Sequence, residues 1–456
     1  MKNTAKGLFV RIVALTVLIG IVVLAIFLCW GENGSGSAAY YELTSSLVNS
    51  ETVYLMLALC FTVPLALAAL IVSVVFTAKP LLKKHKAKKT EKKKQEKRMP
   101  RFSNLSRIDG ELKKHREETY ESKSLEEICV GFRNYAASRL GLYYDIADIR
   151  RFVAGLSVGK LMIIRGMSGT GKTSLAYAAG EYFGNPATIV PIQPMWKERS
   201  DIVGYFNEFT KRFNETTLLC KLYEAGGKKD IFITVLDEVN ISRIEYYFAE
   251  FLSLLEIPDP NKRELDVVSD SWENDPERLR GGKLLLPENM WFIGTANNDD
   301  STFAISDKVY DRASVIDLDR KSVPFGAPDT PAAHISYEAL NSCFAEAQKR
   351  YTMSAASREK LTRLDGHMAE VFRVSFGNRI MRQIEEYVPV MVACGGTEWG
   401  ALDDILARKI FRKLEQISPA LIKNEMPALL ALLDDLFGAD ALPLSREYLF
   451  RLSKSA

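Results

Sequence analysis

Residues 161–175 have the sequence LMIIRGMSGTGKTSL, and the rest of the predicted fold is arranged around them. The short apolar run 161–164 predicts a buried strand, and the composition of 174–182 predicts a helix. Between the two, GMSGTGKT matches the pattern G-x-x-x-x-G-K-[ST] of a loop that cradles phosphates. A glycine-rich loop that fits this pattern by chance is the alternative. The flanking strand and helix, which the pattern requires, argue against it.

Each residue type in this loop has a physical role. The glycines let the backbone turn successive N–H groups inward toward phosphate oxygens, and the next helix points its positive end at the same anion. Lys172 can reach the β- and γ-phosphates, and the Thr173 hydroxyl can bind Mg²⁺. The predicted nucleotide-binding residues of the loop are Gly166, Met167, Ser168, Gly169, Thr170, Gly171, Lys172, Thr173 and Ser174.

The composition is that of an ordinary globular protein with one unusual segment. Of the 456 residues, 47% are hydrophobic and 26% are charged, and the length predicts two or three structural units. The net charge of +3 hides an asymmetry, since residues 79–101 contain twelve Lys or Arg and two Glu. The six cysteines are scattered without a C-x-x-C pattern, which indicates a reduced compartment and no structural metal.

Two N-terminal segments, 8–30 and 53–78, are apolar and exceed the ~20 residues needed to span a bilayer. Lys and Arg flank the pair on both sides and are absent from the connector 31–51. The positive-inside rule therefore predicts a transmembrane hairpin over 1–78, in the cell (inner or plasma) membrane, with both ends cytoplasmic. For the first segment a cleavable signal peptide is the alternative, but the apolar run is longer than signal peptides have.

The basic run 79–101 has two interpretations. It begins directly at the predicted membrane exit and contains no aromatic residue that could stack on bases. Attraction to anionic lipid headgroups therefore explains it better than nucleic-acid binding does. We predict a basic and polar cytoplasmic linker over 79–124.

Beyond the loop, apolar runs at 187–192, 231–236, 290–295 and 315–318 predict further strands, with helical patterns between them. This alternation predicts an α/β nucleotide-binding domain over 125–320, with a mostly parallel sheet covered by helices on both faces. The polar stretch 258–287 predicts an insertion loop or hairpin. A separate α-helical lid or C-terminal domain is expected over 335–456.

Two acidic residues, Asp237 and Glu238, directly follow the run 231–236. This places both carboxylates at the edge of the sheet where open α/β proteins bind ligands. Asp237 suits Mg²⁺, which prefers oxygen ligands, and Glu238 suits polarising a water that attacks the γ-phosphate. The predicted metal-binding residues are therefore Thr173 and Asp237.

Two later polar residues complete the predicted catalytic set. Asn297 follows the run 290–295 and could bond the attacking water or the γ-phosphate, although a turn or helix cap is the alternative. Arg312 lies at the end of a short polar helix, where we expect it not to be buried. It either pairs within its own subunit or reaches a neighbour's phosphate. The predicted catalytic residues are Glu238, Asn297 and Arg312.

Residues 144–319 resemble the AAA+ ATPase superfamily, and within it the McrB-type branch of restriction-system NTPases. The telling segments are QPMWKERSDIVGYFN at 193–207, LDEVN at 236–240, FAEFL at 248–252 and GTANNDD at 294–300. The resemblance implies a P-loop NTPase with a parallel five-stranded sheet, followed by a helical lid, in hexameric rings that bind nucleotide between subunits. It also implies that Asn297 is a sensor, Arg312 an arginine finger and Arg379 the nucleotide-sensing arginine of the lid.

Three functions follow as hypotheses. The leading one is a membrane-anchored, cytoplasm-facing AAA+ ATPase that hydrolyses ATP with Mg²⁺ and remodels a partner protein, with GTP as the alternative nucleotide. The second is a McrB-like nucleic-acid motor that works with a separate nuclease. The third is a nucleotide-gated scaffold that turns over slowly.

Overall fold

The computed structural model describes residues 100–114, 119–297 and 302–455, and isolated positions between 58 and 73. The chain divides into two compact units, Met1–Glu96 and Lys97–Ala456. The isolated positions described in the first unit are helical, and the rest of the predicted spans 8–30 and 53–78 lies outside the described residues. Within the described part of the chain, no helix combines the length and apolar character needed to cross a membrane.

The second unit is organised around a central sheet. The strands of this unit are, in chain order, β1 (Leu161–Gly166), β2 (Thr188–Pro191), β3 (Gly204–Asn207), β4 (Arg212–Glu215), β5 (Phe232–Asp237), β6 (Glu264–Asp266), β7 (Leu279–Arg280), β8 (Lys283–Leu285), β9 (Met290–Asn297) and β10 (Ser314–Asp317). Five of them form a parallel sheet in the order β10-β1-β9-β5-β2. The apolar runs predicted as strands form this sheet, so the prediction of a parallel five-stranded α/β fold is confirmed.

Helices cover both faces of the sheet. They are α1 (Asn104–Leu112), α2 (Leu125–Leu140), α3 (Ile146–Val158), α4 (Lys172–Tyr182), α5 (Arg199–Val203), α6 (Thr217–Ala225), α7 (Ile244–Tyr247), α8 (Ala249–Leu254), α9 (Asp307–Tyr310), α10 (Tyr337–Arg350), α11 (Ala355–Phe372), α12 (Gly377–Ala393), α13 (Glu398–Ile405), α14 (Pro419–Phe437) and α15 (Pro443–Ser455). Alternate residues of β1 enter two different apolar cores. Met162 and Ile164 pack into the first core, and Leu161 and Ile163 pack into the second. Because side chains alternate across a strand, the continuous apolar run means that both faces are buried.

The strand order brings the predicted site residues to one edge. Strand β9 lies between β1 and β5, and all three run in the same direction. The loop after β1, the acidic pair after β5 and Asn297 at the end of β9 therefore meet at the carboxyl edge of the sheet. This juxtaposition follows from the strand order and not from spacing along the chain.

The region after β10 is helical, as predicted, throughout residues 337–455. The helices pack onto the α/β part, because Ile380, Ile384 and Val388 of α12 enter the same apolar core as α3 and α4. The predicted separate domain is therefore continuous in its core with one face of the sheet. A π-helical segment, Leu406–Ile410, and a 3₁₀ segment, Phe411–Gln416, follow α13 directly.

The predicted linker over 79–124 is wrong for residues 101–112. Phe102 and Leu105 are fully buried in the second apolar core, and Arg101 is only 3% exposed. The Arg101 guanidinium pairs with Asp270 at 2.9 Å and with Asp275 at 2.7 Å. The local polarity of the sequence could not predict the burial of Arg101, because the residues that pair with it lie 169 and 174 positions further along the chain.

Two small antiparallel units project from the α/β core. The stretch 258–287, predicted as an insertion loop or hairpin, contains a three-stranded sheet in the order β6-β8-β7. A hairpin of β3 and β4 precedes α6 and was not predicted. Gly204 starts this hairpin with φ +105°, and a Cβ there would lie 2.0 Å from the carbonyl oxygen of Asn214.

Candidate functional site

The loop between β1 and α4 has the backbone that a phosphate cradle requires. Gly166, Gly169 and Gly171 have φ values of +150°, +76° and +93°, which L-residues with side chains rarely adopt. A Cβ on Gly166 would lie 2.3 Å from the Leu318 carbonyl oxygen. The glycines are therefore required by the curvature of the loop and, at Gly166, by the close approach of the segment after β10.

Lys172 opens α4 and its side chain is folded into the loop. The ammonium Nζ donates to the carbonyl oxygens of Gly166 at 3.0 Å and Met167 at 2.7 Å, and the residue is only 7% exposed. Tyr144, a buried residue before α3, donates its hydroxyl to the Gly171 carbonyl at 3.0 Å. Burial raises the pKa of Tyr144, so the hydroxyl stays a proton donor to the loop at neutral pH.

The remaining loop residues differ in accessibility. Met167 and Ser168 are exposed at the turn, whereas Thr170 is buried and donates its hydroxyl to the Met167 carbonyl at 2.9 Å. Ser174 is half-buried in the first turn of α4. The loop is thus stabilised by its own side chains, while its outer surface stays open.

Asp237 and Thr173 are brought together across the sheet edge. The Thr173 hydroxyl Oγ1 donates to Asp237 Oδ1 at 2.7 Å. Thr295 on β9 donates its Oγ1 to the same carboxylate oxygen at 2.7 Å, and this hydroxyl accepts the Glu238 amide N–H at 2.9 Å. Thr295 is 2% exposed, so a single buried hydroxyl fixes the positions of both acidic residues, Asp237 and Glu238.

Glu238 is exposed and has a left-handed backbone, with φ +56°. Such a conformation is rare outside glycine, and strained residues of this kind cluster at functional sites. Asn297 Nδ2 donates to Glu238 Oε1 at 3.3 Å. The buried Asn240 holds the end of β9 in place, donating to the Asn297 carbonyl at 2.8 Å and to Thr302 Oγ1 at 2.9 Å.

The donor atoms at this edge fit Mg²⁺. A threonine hydroxyl and a carboxylate oxygen already lie 2.7 Å apart, and both are hard oxygen ligands of the kind the ion prefers. Among the described residues, no group of three or more His, Cys, Asp and Glu is placed to hold a metal ion. Thr173 and Asp237 would thus hold Mg²⁺ together with phosphate oxygens, as is usual for this ion.

Arg312 lies at the opposite edge of the sheet. The register of β10 on β1 pairs Ser314 with Met162, which sets Arg312 level with Lys160, before β1 begins. A strand rises about 3.3 Å per residue, so about 20 Å separates this level from Gly166. Arg312 is half-buried, with a side chain that is 16% exposed, and it pairs within its own chain, donating to Glu256 Oε2 at 2.6 Å.

Arg379, at the start of α12, does not approach the loop of its own chain. Its guanidinium contacts Glu256 Oε1, so that Arg379 and Arg312 share one carboxylate. Arg379 was predicted as a nucleotide contact of the lid. Its position beside Arg312 removes it from its own chain's site, because α12 packs on α3 at the amino end of β1.

Four residues that matter here were missed by sequence reasoning. Thr295 and Asn240 lie inside the segments GTANNDD and LDEVN but were given no role, although a polar residue within a buried strand is a usable signal. For Tyr144, the only sequence signal was that it is an aromatic residue. Glu256 had no sequence signal, because its partners lie 56 and 123 positions further along the chain.

No family model matches the chain, and no curated protein is similar to it. Solved structures with similarity include a provisionally assigned ATPase from Cytophaga hutchinsonii ATCC 33406, at 13% identity and a TM-score of 0.43, covering 72% of this chain and 95% of that one. A full-length MCM homolog from Methanopyrus kandleri has 10% identity and a TM-score of 0.36, covering 64% of this chain and 62% of that one. Both TM-scores lie below 0.5, so the fold and the site rest on the geometry described above.

Proposed function

We propose that this chain is an AAA+-type ATPase that binds Mg–ATP at the loop 166–173 and hydrolyses it. One observation carries the proposal. Thr173, Asp237, Thr295, Glu238 and Asn297 form a continuous chain of hydrogen bonds at the carboxyl edge, directly beside the loop. These are the residue types that phosphate binding, Mg²⁺ binding and activation of water require.

Each residue has a defined task in this proposal. The loop amides, the N-terminus of α4 and Lys172 bind the phosphates, with Lys172 exchanging two carbonyl partners for phosphate oxygens. Thr173 and Asp237 would hold Mg²⁺, which when bound would stabilise the charge of the transferred phosphoryl group. Glu238 accepts a hydrogen bond from the attacking water, and Asn297 orients the Glu238 carboxylate.

The nucleotide site is completed by a second copy of the chain. The level of Arg312 in the sheet lies about 20 Å from the loop of its own chain, which is further than an arginine side chain can span, and Arg379 contacts the same carboxylate as Arg312. Both cations can therefore serve a triphosphate only when it is bound by a neighbouring copy. A closed ring, which we propose to be hexameric, provides such a neighbour for every site.

For the cellular role, we propose that residues 1–78 anchor the ATPase in the cell membrane and that the unit remodels a partner protein on the cytoplasmic side. The apolar segments and the basic run 79–101 support this proposal. The chain enters the described unit at Arg101, which is tied to Asp270 and Asp275 beside the three-stranded insertion.

The hydrolysis proposal is tested on the purified full chain with ATP and with GTP. Glu238→Gln should lower phosphate release by about 10²–10⁴-fold, because the water loses its acceptor, while nucleotide binding is retained. Glu208→Gln is the matched control, since Glu208 is exposed on the β3–β4 turn and pairs with Lys211 there. Unchanged phosphate release in Glu238→Gln would remove Glu238 from the reaction.

The nature of the partner is tested by stimulation. Vesicles with anionic lipids should stimulate the ATPase, whereas stimulation by DNA alone would support the nucleic-acid motor. Tight nucleotide retention with negligible turnover in every condition would support the slow scaffold.

A further inference from the structure

A cavity of about 560 Å³ lies at the amino edge of the sheet, between the start of β1, the residues after α8 and the helix α12. Its charged lining is mostly basic and consists of Lys160, Arg263, Arg312, Arg379, Arg382, Glu256 and Glu386. Four arginines outnumber two carboxylates and leave the cavity with a positive charge, to which Lys160 adds only in part at neutral pH because burial lowers its pKa to about 7. A positively charged cavity of this size suits an oxyanion with several acceptor oxygens.

Glu256 occupies the cationic side of this cavity. Its Oε2 accepts from Arg312 Nη2 at 2.6 Å, and its Oε1 contacts Arg379. The bond from Arg312 lowers the pKa of Glu256, so the carboxylate is charged at neutral pH. One negative charge therefore neutralises two arginines only in part.

The hydrogen-bonding capacity of Arg312 is also incompletely used. Its Nε and Nη1 are buried, and neither has a partner within the described part of the chain. Buried donors without acceptors are costly, and guanidinium groups favour two parallel bonds to a phosphate or carboxylate. A phosphate oxygen entering the cavity would provide the missing acceptors.

The backbone that carries Arg312 is held firmly. Gln383 of α12 donates to the Asp311 carbonyl at 3.1 Å, and Lys413 pairs with the Asp311 carboxylate at 3.0 Å. Arg412 contacts Asp307 at the start of α9. Since the main chain is fixed from both sides, a change of partner at Arg312 involves the guanidinium and not the backbone.

We propose that Glu256 is a built-in competitor for the nucleotide of a neighbouring copy: it holds Arg312 and Arg379 in this cavity until the polyphosphate of that nucleotide displaces it. The inference rests on the proposed function for the identity of the anion. A triphosphate carries more negative charge and more acceptor oxygens than one carboxylate. It therefore displaces Glu256 from both arginines when a neighbouring copy with bound nucleotide brings it into the cavity. An unassembled subunit thus keeps its arginines occupied.

The test uses inorganic tripolyphosphate as the probe and isothermal titration calorimetry on the full chain. All variants carry Lys172→Ala, which weakens anion binding at the loop 166–173. The basic run 79–101 is the same in every variant, so its contribution to tripolyphosphate binding cancels in the comparison. Adding Glu256→Gln should tighten tripolyphosphate binding at least tenfold, because both arginines are released. Adding Arg312→Ala and Arg379→Ala to that variant should abolish the gain.

The matched control is Glu385→Gln, which removes the same charge one residue away from the cavity on α12. Glu385 contacts Arg358 outside the cavity, so this variant should bind tripolyphosphate like the Lys172→Ala parent. Glu256→Asp is the second competitor variant. Its shorter side chain cannot hold both arginines, and it should bind with an affinity between those of the parent and Glu256→Gln even if the Gln variant folds poorly.

Equal or weaker tripolyphosphate binding in both Glu256 variants, with their melting temperatures unchanged, would overturn the proposal and make Glu256 a structural partner of the arginines. This readout needs neither hydrolysis nor a loaded neighbour. Failure of the proposed ATPase activity would appear instead in the unmutated chain as absent phosphate release.

Discussion

The Thr295 hydroxyl donates to the Asp237 carboxylate at 2.7 Å and accepts the next residue's amide N–H at 2.9 Å. Two consecutive acidic residues are thus positioned by a single hydroxyl on the neighbouring strand. The first, Asp237, is turned toward Thr173, and the second, Glu238, is held in a left-handed backbone. The relative placement of metal ligand and water activator therefore depends on β9 as much as on β5.

Replacing Thr295 with Val should remove both bonds without changing the side-chain shape much. The variant leaves the Glu238 N–H unpaired, so we expect a loss of about 1–3 kcal/mol in stability, measured by urea unfolding. Turnover should fall at least tenfold while ATP binding is retained. The matched control is Thr234→Val on β5, because the Thr234 hydroxyl is buried and has no partner within the described residues. Equal effects of both variants would argue against a special role for Thr295.

Lys172→Ala should weaken binding of ATP analogues at least tenfold. The ammonium provides charge-assisted contacts to phosphate oxygens, and such contacts contribute about 1.5–3 kcal/mol each. Fluorescent analogue binding to the full chain measures the change, with Lys349→Ala, an exposed lysine on α10, as the control. An unchanged affinity would show that the loop does not bind the nucleotide.

Arg312→Ala should lower turnover by about 10³-fold or more while nucleotide binding survives, if the guanidinium stabilises the transition state in a neighbouring copy. The decisive experiment mixes Arg312→Ala subunits with Glu238→Gln subunits, each inactive alone. An interface that joins an intact Glu238 to a neighbour's intact Arg312 would be complete, so phosphate release should reappear in the mixture. Full activity of Arg312→Ala alone would remove this residue from the site and weaken the argument for a ring.

The predicted membrane hairpin is tested in cells. A reporter fused at Ser37 should behave as extracytoplasmic, because the connector 31–51 has no Lys or Arg and both flanks are basic. A reporter at the C-terminus should behave as cytoplasmic. A C-terminus that added protease can cleave in intact cells would refute this topology.

Local sequence was sufficient for the loop and for the central strands. The curvature of the loop depends on glycines within six residues, and strands buried on both faces have continuous apolar runs. For the same reason Asp237 and Glu238 could be assigned to a strand end. Each of these features is encoded over fewer than ten neighbouring residues.

The tertiary structure alone decided which distant residues share a contact. Sheet order places Thr295 against Asp237, and it puts Arg312 at the edge away from the loop, where Glu256 binds both Arg312 and Arg379. Arg101 looked like part of a solvated basic run, yet it is buried against two aspartates. Periodicity and composition report the environment of one segment, whereas the pairing of charges across segments depends on how parallel strands and their helices are ordered in space.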